Sequence, residues 1–331
     1  MKVFRSFTLL FIFLILTGIK AQQIPFYSQY MLNPYIINPA FAGTTELYNI
    51  GASYRYQWVG VNDAPSSFYL SGNGHVGKDH PLQRRRHMKQ NDWHNGIGFI
   101  ISSEQTGPII TTNNVMVSYA YDTPLTDDIR LSFGLSAGIQ QFMVNGNNAE
   151  LRDKSIPVSS FSRLLPNGNA GLWLYHNLWF AGVSAQNLFS NKIEDRFFAE
   201  RTGTNRLVRH YYANVGGVFN LLPDPRIDAI PSIVVKYTET VNLPSFDINI
   251  KLKYKEIAWK DKHLFWLGVS YRNEQGLIFL AGGRFNENYE VGYAYDLTLG
   301  YLNPVSKGSH EIYVNYRIVP KVRVISPSDY W

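Results

Sequence analysis

Residues 247–254 read D-I-N-I-K-L-K-Y: Ile248, Ile250, Leu252 and Tyr254 alternate strictly with Asp247, Asn249, Lys251 and Lys253. Successive side chains of a strand point to opposite faces, so this stretch has one oily face and one charged face. The same alternation sets Leu131, Phe133, Leu135, Ala137 and Ile139 against Ser132, Gly134, Ser136, Gly138 and Gln140. It also sets Ile312, Val314 and Tyr316 against Glu311, Tyr313, Asn315 and Arg317. About fourteen such segments can be marked, most near the ~10 residues that a tilted strand needs to cross a bilayer. Strands of soluble sandwiches are shorter, nearer ~5–6 residues, and keep polar outer faces. The reading is all-β: a closed antiparallel transmembrane β-barrel of about 14 strands, with its apolar face in lipid and a wet interior.

The expected strands lie near 48–57, 66–74, 95–103, 113–121, 130–142, 169–175, 178–187, 210–221, 230–238, 246–255, 263–272, 276–285, 289–299 and 309–318. Breaks rich in turn formers separate them, such as His176-Asn177, Pro223-Asp224-Pro225 and Asn286-Glu287-Asn288. An even count puts both barrel ends on one side, which export makes the periplasm. The long connections 144–168 and 188–209 then face outward and the short ones inward, the asymmetry usual for outer-membrane barrels. The basic stretch 75–93 is long yet falls on the periplasmic side.

The N-terminus fits export. Lys2 and Arg5 precede an apolar run from Phe7 to Leu16, and Gln22 is a plausible first mature residue. This is the layout of a secretory signal peptide, too short to span a membrane as a helix. Removing residues 1–21 takes Lys2, Arg5 and Lys20 with it, which lowers the net charge from +6 to +3. The expected organisation is a signal peptide 1–21, an irregular N-terminal segment 22–47, an outer-membrane β-barrel 48–318 and a C-terminal tail 319–331. The 22 Tyr and 7 Trp suit membrane interfaces, where the ring is in apolar surroundings and the polar tip is wet. Arg84-Arg85-Arg86-His87 is read as a solvated loop or a lipid or partner contact rather than a nucleic-acid site.

No cofactor, metal or catalytic site is expected. The chain has no cysteine, which excludes thiolate catalysis, and it carries no H-E-x-x-H, phosphate loop or G-x-S-x-G. Ser309-His310-Glu311 contains catalytic residue types, but strand neighbours face opposite ways and Ser309 and His310 cannot pair. Lumen-facing charges such as Arg55, Lys251 and Lys253 read as a structural network.

The segment 22–47 is the most distinctive part. It contains Gln29-Tyr30-Met31-Leu32-Asn33-Pro34 and then Asn38-Pro39-Ala40-Phe41-Ala42-Gly43. Two Asn-Pro pairs forbid a helix or ladder strand, while the aromatic residues ask for burial. The segment is therefore expected to be ordered, as a plug in the lumen or a cap on the periplasmic mouth. This pattern resembles the start of the PorP/SprF family of the type IX secretion and gliding systems of Bacteroidetes. The likeness continues through Tyr54-Arg55-Tyr56-Gln57-Trp58-Val59-Gly60, Gly182-Val183-Ser184-Ala185-Gln186-Asn187-Leu188 and Gly308-Ser309-His310-Glu311-Ile312, in order along the mature chain. The insertion 78–89 departs from it.

The resemblance implies a non-enzymatic component of the cell outer membrane. Its implied partners are membrane lipid, the periplasmic type IX machinery and a large secreted adhesin with a type B C-terminal sorting domain, which the protein would help to secrete or to anchor. Gln29, Tyr30, Asn33, Asn38, Pro39, Arg55, Gln57 and Trp58 are the candidate partner-binding residues. No nucleic acid and no small-molecule substrate is expected. The competing reading is a passive porin or small-solute channel; a plugged lumen argues for the first and an open lumen for the second. A barrel hydrolase is the third.

Overall fold

The computed structural model describes residues 27–45, 47–76, 94–146, 160–193, 206–221, 227–240, 243–255, 263–273, 275–286, 288–299 and 304–318. The expected signal peptide, the basic run 84–87 and the tail 319–331 lie outside these residues.

Fourteen antiparallel strands follow one another around a closed ring. They are β1 (Tyr48–Tyr56), β2 (Ser66–Val76), β3 (His94–Thr106), β4 (Ile110–Pro124), β5 (Arg130–Val144), β6 (Phe161–His176) and β7 (Trp179–Gln186). Then come β8 (His210–Gly217, resuming at Phe219–Asn220), β9 (Ile227–Thr238), β10 (Ser245–Lys255), β11 (His263–Arg272), β12 (Gly276–Phe285), β13 (Tyr289–Thr298) and β14 (Ser309–Ile318). The seam joins first to last, in register from Tyr48 opposite Ile318 to Tyr56 opposite His310. Strand pairing therefore runs unbroken around the ring, as a sheet in lipid requires. Both barrel termini lie at one end, called the near end here, and the other is the far end.

The period-two pattern is realised as an inside-out protein. Outward positions carry Tyr54, Val117, Leu135, Ile250 and Ile312, all well exposed. Inward positions carry Ser53, Ser71, Asn73, Ser118, Asn249 and Lys251, all buried. The chain is thus an outer-membrane β-barrel that crosses with strands. Among the described residues no helix is long and apolar enough to do so.

Two departures from the sequence reading stand out. Strands β3 to β6 run to 13, 15, 15 and 16 residues, well beyond ~10, and raise one wall of the far end. Residues 161–168, expected inside a long loop, are strand. The expected strand began at residue 169; the observed one includes Pro166, which pairs with Ile139 and lies past the end of β7, whose ladder with β6 begins at Ala170 opposite Ala185. There β6 is in effect an edge strand, so the missing proline N–H costs no ladder bond. Pro231 shows the same economy: the β8–β9 ladder lapses opposite it, between Ser232–Gly216 and Ala229–Phe219.

The interior is also less uniformly wet than the alternation implies. Trp173, Tyr175 and Phe180 form one buried cluster inside the wall, and Leu264, Trp266, Ile278 and Leu280 another. Residues 27–45 occupy the lumen and pack on both, with Phe41 in the first cluster and Met31 and Leu32 against the second.

Candidate functional site

The two Asn-Pro pairs shape this inner segment. Each proline opens a single turn of 3-10 helix, Pro34–Ile36 and Pro39–Phe41, where its missing N–H has no intrahelical partner to lose. The Asn38 side chain accepts the Ala40 N–H at 3.0 Å and caps the second turn. Local bonds such as Leu32 N–H to Gln29 O and Ile37 N–H to Pro34 O satisfy much of the remaining backbone. A segment that meets its own backbone needs can be buried without pairing into the sheet.

The wall is cut to receive it. A side chain at Gly134 would run into the Ala40 backbone, and one at Gly96 into the Ala42 carbonyl. Both glycines allow a close approach that any other residue would block. Phe41 packs edge-on to Trp173 with ring centroids 5.4 Å apart, and Trp173 stacks on Phe180 at 5.3 Å. Tyr27 meets Tyr69 edge-on at 4.7 Å near the other extremity of the segment.

Polar contacts tie the segment to β2, β4, β6 and β7. The Tyr35 hydroxyl bonds Ser118 at 2.7 Å, Asn33 donates to Ser71 at 2.9 Å, and Asn38 donates to the Leu172 carbonyl at 2.9 Å. Ser184 donates to the Ile37 carbonyl at 2.6 Å.

The densest contacts lie toward the far end. Glu311 of β14 is fully buried and accepts the backbone N–H of Ser28 at 2.6 Å and of Gln29 at 3.2 Å. Arg55 of β1 bridges Asp296 at 2.6 Å and Glu311 at 3.2 Å, and also donates to the Ser28 hydroxyl. Ser28 in turn donates to Asp296 at 2.8 Å. Gln275 links Arg55 to Arg272, which pairs with Asp247 at 2.8 Å. Removal of either partner of such a buried pair would strand a charge away from water. This is a clamp across the seam: the first and last strands together grip the start of the segment.

Of the candidate partner-binding residues, Gln29, Tyr30, Asn33, Asn38 and Pro39 are buried in the lumen, and Arg55 and Gln57 are buried in the wall beside it. Trp58 is half-buried at the far rim, with a left-handed φ of 46° and its N–H on Ser309. Ser309 and His310 do point apart: His310 bonds Tyr293 at 2.6 Å, while Ser309 and Glu311 share the inward face, where Glu311 holds the clamp. The sequence reading did not single out Asp296, Gln275 or Ser28. An available signal was parity, since Asp296 and Glu311 are acids at inward positions of a lumen that also holds Arg55.

A family model described as type IX secretion system membrane protein PorP/SprF matches residues 19–316. Solved structures similar to the chain include a FadL homologue of Pseudomonas aeruginosa, at 9% identity over 85% of this chain and 91% of that one, with a TM-score of 0.49. The CymD monoaromatic hydrocarbon channel is 13% identical over 91% of this chain and 94% of that one, also with a TM-score of 0.49. BamA from Haemophilus ducreyi lacking POTRA domains 1–3 is 6% identical over 83% and 70%, with a TM-score of 0.41. No curated protein matches the sequence significantly.

Proposed function

The chain belongs to the PorP/SprF family of type IX secretion system membrane proteins, and from that premise we propose that it supports the secretion or surface anchoring of a large adhesin with a type B C-terminal sorting domain. It does so without catalysis, as a closed platform in the outer membrane. The observation that carries this reading is the filled lumen. Residues 27–45 run from the Glu311 clamp toward the far end to Asn49 and Gly96 near the other end, so the segment lies across the path a passive solute would take, beside a cavity of about 330 Å³.

In this reading the near end faces the periplasmic machinery and the far end faces the exterior. The partner takes hold of the inner segment and its collar, through Gln29, Tyr30, Asn33, Asn38, Pro39, Arg55, Gln57 and Trp58. Because most of these are buried, engagement requires the segment to shift.

Deleting the gene in its native host should abolish surface display of the adhesin while other type IX cargo still reaches the medium. The purified barrel should show no steady porin-like conductance in planar bilayers, and deletion of 26–43 should open it. Porin-like conductance of the intact protein together with normal adhesin display would replace this reading with the channel. Photocrosslinking from Tyr30 and Trp58 in cells tests the contact itself: failure of both to capture any type IX protein or adhesin would remove these residues from the partner surface.

A further inference from the structure

Charged side chains of the described residues gather at three places inside the barrel. Toward the far end Arg55 lies between Asp296 and Glu311, and Arg272 lies on Asp247. On the β4–β5 wall Arg130 pairs with Asp122 at 2.5 Å. On the opposite wall of the near end, Lys251 and Lys253 of β10, Arg284 of β12 and Arg317 of β14 line one cavity, where Glu290 of β13 is the one acid among the described residues.

Two of these cations have no close acceptor. Lys251 is only 6% exposed, and among the described residues it makes no hydrogen bond or ion pair within bonding distance. The Nε of Arg284 is buried and likewise has no acceptor. Taking a cation out of water costs several kcal/mol unless a counter-charge meets it. Four cations around one cavity also repel one another. Lys251 and Arg284 share the Glu290 carboxylate as a nearby charge and bond to no acceptor among the described residues, which leaves both able to hold an incoming anion.

The register places the groups around one point. Arg284 stands directly across from Glu290, and Glu290 across from Asn315, one ladder step from Arg317's side of β14. Lys253 stands across β11's Trp266, and Arg284 across its Leu264. The cations therefore flank an apolar floor from both sides, with Leu32 and Phe41 of the inner segment closing the space. The cavity holds about 80 Å³, room for a compact anion in place of a few waters.

The unmet groups also indicate the kind of anion. The amide oxygens of Asn73 and Asn315, on the same cavity, are buried acceptors without donors. A carboxylate accepts only, whereas a hydrogen phosphate group both accepts from Lys and Arg and donates from its P–OH. We propose that the cavity walled by Lys251, Lys253, Arg284 and Arg317 is a binding site for a phosphate group at the near mouth of the barrel, held between the wall and the inner segment. The site does not depend on the adhesin reading, and the two are tested apart.

The test uses the full chain, purified in detergent without phosphate. Calorimetric titration with inorganic phosphate, run against sodium chloride of equal ionic strength, should give saturable binding and raise the unfolding temperature. The double variant Lys251→Gln/Arg284→Gln should weaken phosphate at least tenfold. Arg209→Gln, in an exposed pair at the far end, should leave it unchanged. If the double variant fails to reach the heat-modifiable folded form, Lys251→Gln alone should weaken binding about fivefold. Glycerol phosphate and citrate serve as further arms. Glycerol phosphate matching phosphate would place the group on a lipid head; citrate alone binding would overturn the phosphate assignment. Phosphate indistinguishable from chloride, or an affinity unchanged in the variants, would overturn the site.

Discussion

Glu311 shows how much one side chain can hold. It carries the N–H groups of Ser28 and Gln29 and half of the Arg55 ion pair, with no access to water. Glu311→Ala is expected to cost about 3–5 kcal/mol, the range for stripping one partner from a buried pair. Glu239→Ala, whose pair with Arg209 is exposed on both sides, should cost under about 1 kcal/mol. Urea unfolding followed by electrophoretic mobility of the folded barrel measures both; equal costs would mean that the clamp does not hold the fold. On the outer face the sign of the argument reverses. Ile250→Lys should cost about 2–4 kcal/mol if it lies near the bilayer midplane, and unchanged stability would show that this face does not meet lipid. Parity alone made Ile250 readable as outward and Arg55 as inward. It did not reveal the partners of Arg55, because Asp296 and Glu311 lie 241 and 256 residues away along the chain. Strand order brings them together, and alternation carries no information on strand ends.

At the scale of elements, the strands from β7 to β14 were legible nearly to their ends, since turn formers coincide with the ladder's limits. The raised wall was not. Its extra length at β6 runs through Ser162, Arg163, Pro166, Asn167 and Gly168, residue types that favour turns when no neighbour is considered. Pairing with β5 over fifteen positions outweighs that local preference. The inner segment was legible as irregular and in need of burial, but its path was not. That path depends on small wall residues, and Gly134→Val is the direct test. The barrel should still close, because its ladder is untouched, while the segment is pushed off Ala40. Limited proteolysis should then cut within 27–45, where the unaltered protein resists. Resistance in both would mean that the wall at Gly134 yields.

For the molecule as a whole, orientation decides which partner meets which end. A cysteine in place of Ser162, on the raised wall at the far end, should react with an impermeant thiol reagent on intact cells. One in place of Asp128, in the exposed turn between β4 and β5 at the near end, should react only after the outer membrane is permeabilised. The reverse result would turn the barrel over.

The grip of β14 on Ser28 and Gln29 has a consequence in time. The residues that precede the barrel are locked by its final strand, 283 residues later in the chain for Ser28. A thread of this kind is not easily drawn into a ring that has already shut, so the seam between β1 and β14 is expected to close around it. Contacts so distant in sequence make for slow ordering, and until the last strand arrives the leading residues remain open to attack. Pulse proteolysis during refolding should show protection of 27–45 rising together with seam closure. The chain's beginning would then act as a gauge of whether its end has been delivered: a truncated or stalled barrel would carry a loose leader, visible to whatever clears incomplete proteins from the envelope.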